Sequence, residues 1–307
     1  MPPTDVEMKT LPRADPLWNE FCEVGLPIQS IARLLENGPR IPNPTPYSFN
    51  LIIPQNRNAI KLECDRIQCC INLVDLLESS KRLLLQEGNI VIAIDHGSAI
   101  HQGSDAYILG SARTLFTLTE SERKIIIYSC SSTDILTAIE DFTPFKVSGV
   151  VAMAVKGRRT FIGIASSRPF TAHLNELSIE LSFEDGAFTL VSTRRSVYRL
   201  MQAMHGFKQL VKAVTQHRLY SCPITVYDAY TLASLLEVSN EEKPAKLIKL
   251  LLYNPTPYAL NSIIAAPNTI IASITIDTLE FPVNASVARI PMAPESYRIL
   301  IIRSGIC

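Results

Sequence analysis

Asp95-His96, with His101 five residues further on, is the densest grouping of chemically capable side chains in this sequence. A carboxylate and two imidazoles after a strand could hold a metal ion or run acid–base hydrolysis, and such groups often sit on loops. A metal would need a third ligand, and Asp105 or His173 would have to supply it. The spacing of five also differs from the four that sets two zinc-binding His on one helix face. A strand-end Asp accepting backbone hydrogen bonds in a turn accounts for the same residues. No G-x-S-x-G, P-loop or G-x-G-x-x-G occurs, and 12 glycines in 307 residues leave little for phosphate-cradling loops. No Cys–His dyad is singled out. No catalytic residue, metal or cofactor is expected, and the protein is read as a non-enzyme. An enzyme of unknown class at Asp95, His96 and His101 ranks third among the readings.

Charge placement is more informative. The chain balances 29 Lys+Arg against 29 Asp+Glu, which excludes a uniformly basic nucleic-acid binder and an acidic solvating tail. Yet Phe142 to Asn175 holds no acid and five bases, and Ala187 to Tyr227 holds no acid and six. With Glu176, Glu180, Glu184 and Asp185 between them, residues 142–227 carry a net +7 and the remainder −7. Lys156, Arg158, Arg159, Arg194, Arg195, Arg199, Lys208 and Lys212 are the candidate contacts to phosphates of single-stranded nucleic acid or of an anionic membrane surface. Aromatic interleaving is thin, so backbone-directed, salt-sensitive binding is expected rather than base reading. The alternative is a solvated helix face with counter-charges from the acidic remainder.

The elements that would position these residues are mostly strands. Asn89–Asp95 is β-branched and bounded by glycines, and Ala106–Leu118 and Lys124–Cys130 follow as strands. Ser131 to Asp134 offers caps for a short helix over Ile135–Phe142. Val147–Val155 and Thr160–Ala165 form a hairpin around Lys156 to Arg159. Leu177–Phe183 alternates cleanly, and Asp185-Gly186 turns it back into Ala187–Ser192. Val197, Leu200, Met201, Met204, Phe207, Val211 and Val214 then repeat at helical spacing, predicting a helix over Ser196–Gln216. On its wheel Arg195, Arg199, His205, Lys208 and Lys212 are assigned to the side opposite that stripe. A strand (Pro223–Tyr227), a helix (Ala229–Val238) and further strands ending at Ile299–Arg303 complete the chain, with an earlier helix at Ile28–Asn37.

The fold class expected is α+β and β-rich, with sandwich or jelly-roll-like layers of mostly antiparallel strands and a few helices. Four parts are expected. Residues 1–27 form a Pro-rich arm and 28–193 a β-rich core. Residues 194–244 form a helical basic segment, and 245–307 a strand-rich segment packing on the core. The uncharged run Leu250–Ile276 is broken by Pro255, Pro257 and Pro267, and reads as buried strands joined by turns rather than a membrane span. Seven cysteines without a CxxC pair, and an N-terminus lacking an apolar leader, read as an intracellular protein of a reducing host cytoplasm, not a secreted one. Membrane association stays open. One echo stands out: Asn43-Pro44-Thr45-Pro46-Tyr47 recurs as Asn254-Pro255-Thr256-Pro257-Tyr258. It reads as two similar turns before strands, ahead of a duplicated domain or a repeated ligand motif.

Several segments together resemble the thirty-kilodalton superfamily of plant-virus movement proteins. They are Arg66–Val74, Gly88–Asp95, Ile108-Leu109-Gly110-Ser111, Lys124–Tyr128 and Ser131-Ser132-Thr133-Asp134, within roughly residues 60–142. The chain departs from that pattern where His96-Gly97 follows Asp95, in lacking a Pro-Asn-Tyr-like element, and in having no basic C-terminal tail. The resemblance implies core structural roles for Asp95 and Gly110, cooperative binding of single-stranded nucleic acid, and association with membranes and plasmodesmata. The leading expectation is a non-enzymatic, viral-type, homo-oligomeric nucleic-acid binder serving cell-to-cell movement. The alternative is a self-assembling matrix or capsid subunit.

Overall fold

A computed structural model describes residues 45–47, the strands between Phe49 and Thr137, and residues 145–156, 161–174, 178–183, 187–193, 196–216, 221–240 and 246–305. A first sheet joins β1 (Phe49–Ile52), β2 (Ala59–Cys64) and β3 (Ile67–Asn72) in that order. An 11-stranded sheet follows. It contains β4 (Leu83–Glu87), β5 (Ile90–Asp95), β6 (Ser98–Gln102), β7 (Asp105–Leu109), β8 (Arg113–Leu118), β9 (Lys124–Ser129), β10 (Ser132–Thr137), β11 (Phe145–Lys156), β12 (Phe161–Leu174), β13 (Ser178–Ser182) and β14 (Phe188–Ser192). Helix α1 (Val197–Thr215) leads to a pair of C-terminal sheets. One has the order β15 (Thr225–Val226), β18 (Leu260–Ala265), β21 (Val287–Met292). The other has the order β16 (Leu232–Asn240), β17 (Lys246–Asn254), β22 (Ser296–Gly305), β19 (Ile270–Ile276), β20 (Leu279–Ala285). The strand pairings are antiparallel throughout, and α1 is the one helix among the described residues. The fold is therefore β-rich α+β.

The helix expected over 229–238 is largely a strand, and so is the described start, Ile135–Thr137, of the helix expected over 135–142, whose remainder lies outside the described residues. Ile135 falls in β10, which folds back on β9 from Ser129↔Ser132 across the two residues Cys130-Ser131. The Ser/Thr/Asp run therefore serves a hairpin, and β9, with Ile125, Ile126 and Ile127 in succession, supplies a ladder that outweighs a helical cap. The stretch expected as a helix over 229–238 enters β16, which pairs with β17 over nine residues. A bulge between Leu235 and Glu237 shifts its register, so the period-two signal is interrupted in the sequence. Consequently the second half of the supposed helical basic segment belongs to a C-terminal sheet.

Two expected strand pairings also differ. Leu177–Phe183 and Ala187–Ser192 do not pair with each other. β13 lies along Thr171–Leu174 of β12, and β14 lies along Gly163–Ser166 of the same strand. The single strand expected over 106–118 is two, β7 beside β14 and β8 beside β13. The 14-residue β12 is thus the shared spine of two diverging sheet branches. The helix over 28–37 and the tight turn at 185–186 lie outside the described residues.

One apolar core runs from the large sheet through the helix into the C-terminal sheets. It contains Val151, Ala152 and Ala154 of β11, Ala165 of β12, and Leu200, Met201, Met204 and Phe207 of α1. It continues into Ile248, Leu250, Leu252, Leu300 and Ile302 on one C-terminal sheet and Ile264, Ile290 and Met292 on the other. The uncharged run 250–276 is accordingly the end of β17, then β18 and β19 with turns between them. No helix among the described residues is long and apolar enough to cross a membrane.

The Asn-Pro-Thr-Pro-Tyr echo is a repeated turn. In each copy the Tyr N–H donates to the Thr hydroxyl two residues before it, at 3.4 Å for Tyr47 and 3.3 Å for Tyr258. Each turn leads into a strand two residues after the Tyr, β1 in one case and β18 in the other. The side chains then part company, for Tyr47 is buried and Tyr258 is 70% exposed.

Candidate nucleic-acid interface

Helix α1 starts cleanly. Ser196 is its N-cap, accepting from the Arg199 N–H at 3.4 Å, and the first turn carries no acid. The apolar stripe packs against β11, β12 and β14. A second stripe, Gln202, His205 and Gln209 at spacings of three and four, meets the start of β16. Gln202 donates at 2.9 Å to both the Asp228 and Thr231 carbonyls. Gln209 donates to the Ala233 carbonyl, and His205 shares a 2.8 Å hydrogen bond with the Ser234 hydroxyl. The Ala233 N–H donates to the Tyr47 hydroxyl. β16 is an edge strand, and an edge left open invites pairing with other chains. Side chains of α1 and the first repeated turn cover this one. Sequence reading missed these residues, although Gln202, His205 and Gln209 share a face by spacing alone.

This arrangement corrects the helical face expected to be positive and solvated. Lys208 is 4% and His205 3% exposed. Both line a small cavity with Ser166, Met201, Met204 and Leu232. Lys208 follows Met204 by four residues and Met201 by seven, which sets it in the apolar stripe. His205 has its pKa lowered to about 3. Burial disfavours the imidazolium first, and the nearby charges of Lys208 and then Lys212 oppose it further, against the smaller effect of a hydrogen bond with Ala233. His205 is therefore neutral at physiological pH. Arg199 and Lys212 are half-buried, with Arg199 donating to the Gln202 side chain at 3.5 Å.

Arg158, Arg159, Arg194 and Arg195 lie outside the described residues, and Lys156 is described by its backbone alone. The strands bounding them nevertheless meet at one end of the large sheet. Lys156, the last residue of β11, stands in register with Lys124 of β9 on one side and Phe161 of β12 on the other. Ser192, the last residue of β14, stands opposite Gly163, two residues from that end. The connection carrying Arg158 and Arg159 and the connection from β14 to α1 carrying Arg194 and Arg195 are both anchored there. Arg199 lies in the turn of α1 that follows. Lys212 is 13 residues further along the helix, about 20 Å away at 1.5 Å per residue.

Asp95 closes β5 in register with Arg113, and His101 lies in β6 opposite Ala106. His96 lies outside the described residues, and the side chains of Asp95 and His101 are not described. Among the described residues no three His, Cys, Asp or Glu gather as a metal site. Cys222 is a free thiol that donates to the Ile224 carbonyl at 3.1 Å, and burial pushes its pKa up to about 12. A thiol so held is a poor nucleophile.

No protein-family model matches this sequence, and no curated protein matches it. Among solved structures, a polysaccharide lyase is similar at 9% identity and a TM-score of 0.18, with 80% of this chain and 38% of the lyase covered. A family 81 glycoside hydrolase from Clostridium thermocellum is similar at 10% identity and a TM-score of 0.16, with 86% of this chain and 37% of the hydrolase covered. A salicylate 1,2-dioxygenase from Pseudaminobacter salicylatoxidans has 8% identity and a TM-score of 0.14, with 76% and 78% covered. This chain thus spans well under half the length of the first two. Likeness at this level carries no functional argument.

Proposed function

We propose that this protein binds single-stranded nucleic acid through its phosphate backbone, without catalysis, at the basic end of the 11-stranded sheet. The observation that carries this reading is the register Lys124↔Lys156↔Phe161, with Ser192 two residues from the same end. It anchors the Gly157–Thr160 and Thr193–Ser196 connections side by side. The strand ends that bound two acid-free basic stretches, far apart in sequence, therefore lie at the same end of the sheet, which supports one shared binding surface. Facing positions of like charge ordinarily cost stability, and a bound polyanion relieves that cost. The N-terminal end of α1, with no acid in its first turn, adds positive potential at the same place. Lys156, Arg158, Arg159, Arg194, Arg195 and Arg199 form the proposed contact set, with Lys212 at its far margin. Lys208 belongs to the buried layer and leaves the set. Cell-to-cell movement of a viral genome is the biological role we attach to this binding, on the resemblance described above.

The test is retention of a fluorescent single-stranded RNA over a salt series, beside anionic vesicles as a second phosphate source. Each phosphate contact to a single strand contributes about 0.7 to the slope of log affinity against log salt. Replacing Arg158, Arg159, Arg194 and Arg195 with Glu should lower RNA affinity by at least about tenfold and flatten that slope by roughly 3. Unchanged affinity, or binding without a salt slope, overturns the proposal. Retention on vesicles but not on RNA moves it to a membrane surface.

A further inference from the structure

Between β15 and β16 the chain makes a short loop, residues 227–231. One oxygen of the Asp228 carboxylate accepts from the Tyr230 and Thr231 N–H groups, at 2.9 and 2.6 Å. The other accepts from the Ser262 hydroxyl at 2.9 Å and the Ile263 N–H at 3.4 Å. Gln202 of α1 holds the Asp228 and Thr231 carbonyls, and the Tyr227 N–H donates to the Ile263 carbonyl at 2.9 Å. On this pinned backbone Tyr227 is 54% and Tyr230 45% exposed. Tyr198, in the first turn of α1, meets Tyr230 edge-on with ring centres 5.3 Å apart. An exposed ring on a backbone so held loses little entropy when a flat group stacks on it. Tyr198 and Tyr230 are far apart in the sequence, so the thin aromatic interleaving there does not reveal the pair.

The surroundings say what stacks there. Arg199 follows Tyr198 on the helix and donates to the Gln202 side chain at 3.5 Å, and the same Gln202 holds the two carbonyls that flank Tyr230 in the chain. A guanidinium and two tyrosine rings therefore converge on one hydrogen-bonded cluster. The stretch Ala187 to Tyr227, which supplies Tyr198 and Arg199, holds six bases and no acid. Asp228, the one acid of the loop, has both carboxylate oxygens engaged by donors of this chain. An anionic lipid surface would engage the cation but has no flat rings to meet the tyrosines. A single strand supplies both, with bases for the rings and phosphates for the guanidinium. We infer that Tyr230, backed by Tyr198 and flanked by Arg199, is a base-stacking platform for single-stranded nucleic acid. Tyr198 stands two residues past the N-cap Ser196, beside the connection that leads out of the basic sheet end. The platform rests on the nucleic-acid reading and adds a contact to the base rather than the backbone. Every base has a π-face, so no sequence preference follows from it.

Two fluorescent strands of equal length and charge, a single-stranded RNA and its abasic counterpart, test this when titrated with the full chain by anisotropy. The wild type should bind the RNA at least about fivefold more tightly than the abasic strand, the least that one stacked base contributes. Tyr230→Ala should bring RNA affinity down towards that for the abasic strand without changing the salt slope. Tyr230→Phe, which keeps the ring, should restore it, and Tyr297→Ala, at a tyrosine on β22 that is 43% exposed, should leave RNA affinity as in the wild type. Far-UV circular dichroism and a melt establish that each variant is folded. If Tyr230→Ala is not, irradiation of the wild type with a bromouridine strand carries the test, and crosslinks at Tyr198 or Tyr230 are expected. Equal wild-type affinity for the two strands, with a salt slope, overturns the platform and leaves the phosphate reading standing. RNA binding by folded Tyr230→Ala at wild-type strength does the same, as do crosslinks that avoid both tyrosines. Binding of neither strand overturns both.

Discussion

Three residues show how burial, rather than residue type, decides what a side chain does here. His205, Lys208 and Lys212 share one face of α1, and the first two are enclosed by β12 and β16. The His205 pKa of about 3 lies below its unfolded value of 6.5, so between those values the unfolded chain binds more protons than the native one. Stability is therefore complete above about pH 6.5 and declines as pH falls towards 3, by up to about 1.4 kcal/mol per unit. The charges of Lys208 and Lys212 face His205 from its own helix, Ser234 shares the His205 hydrogen bond, and the Tyr47 ring lies edge-on with ring centres 6.3 Å apart. Urea unfolding at pH 7 and pH 4 should show a smaller acid penalty in His205→Gln than in the wild type, and equal penalties would contradict the assignment. The repeated turn gives a second contrast. Tyr47→Phe removes the acceptor for the buried Ala233 N–H and should cost about 1–3 kcal/mol. Tyr258→Phe, at a mostly exposed ring, should fall within about 0.5 kcal/mol of the wild type in the same denaturant titration.

Among the elements, those with a clean period were legible. The stripe from Val197 to Val214 became α1 within one residue at each end, because its spacing of three and four is unbroken. Asn89–Asp95 became β5, and the Pro-interrupted run 250–276 became strands. β16 was not legible, since its bulge breaks the alternation and its Leu, Ala and Glu content favours a helix until β17 pairs with it. β10 was hidden for the opposite reason, as a Ser/Thr/Asp run serves hairpins and helix caps equally well. The basic residues were legible as a composition but not as a place. Spacing alone cannot tell that β11 and β14 end on either side of the start of β12, because strand order is decided by long-range pairing. The β19–β20 hairpin shows a local rule broken. Asp277 and Thr278 both adopt positive φ, 49° and 74°, in a two-residue loop where Asn-Gly is the unstrained choice. A β-branched residue pays most there. Thr278→Gly should raise stability by about 1 kcal/mol, read as a higher melting temperature, while Asp277 keeps its 2.7 Å ion pair with Arg298.

At the scale of the whole molecule, zero net charge conceals an uneven distribution. Residues 142–227 carry +7 and the remainder −7. The large sheet brings the strand ends that bound the two basic stretches, Lys156 of β11 and Ser192 of β14, to one end. The most direct measurement is the salt dependence of single-stranded RNA binding by the wild type and by the variant with Glu at positions 158, 159, 194 and 195. Salt-sensitive wild-type binding, with a slope that falls by roughly 3 in the variant, is the predicted result. Equal affinities and equal slopes for the two proteins would contradict the account.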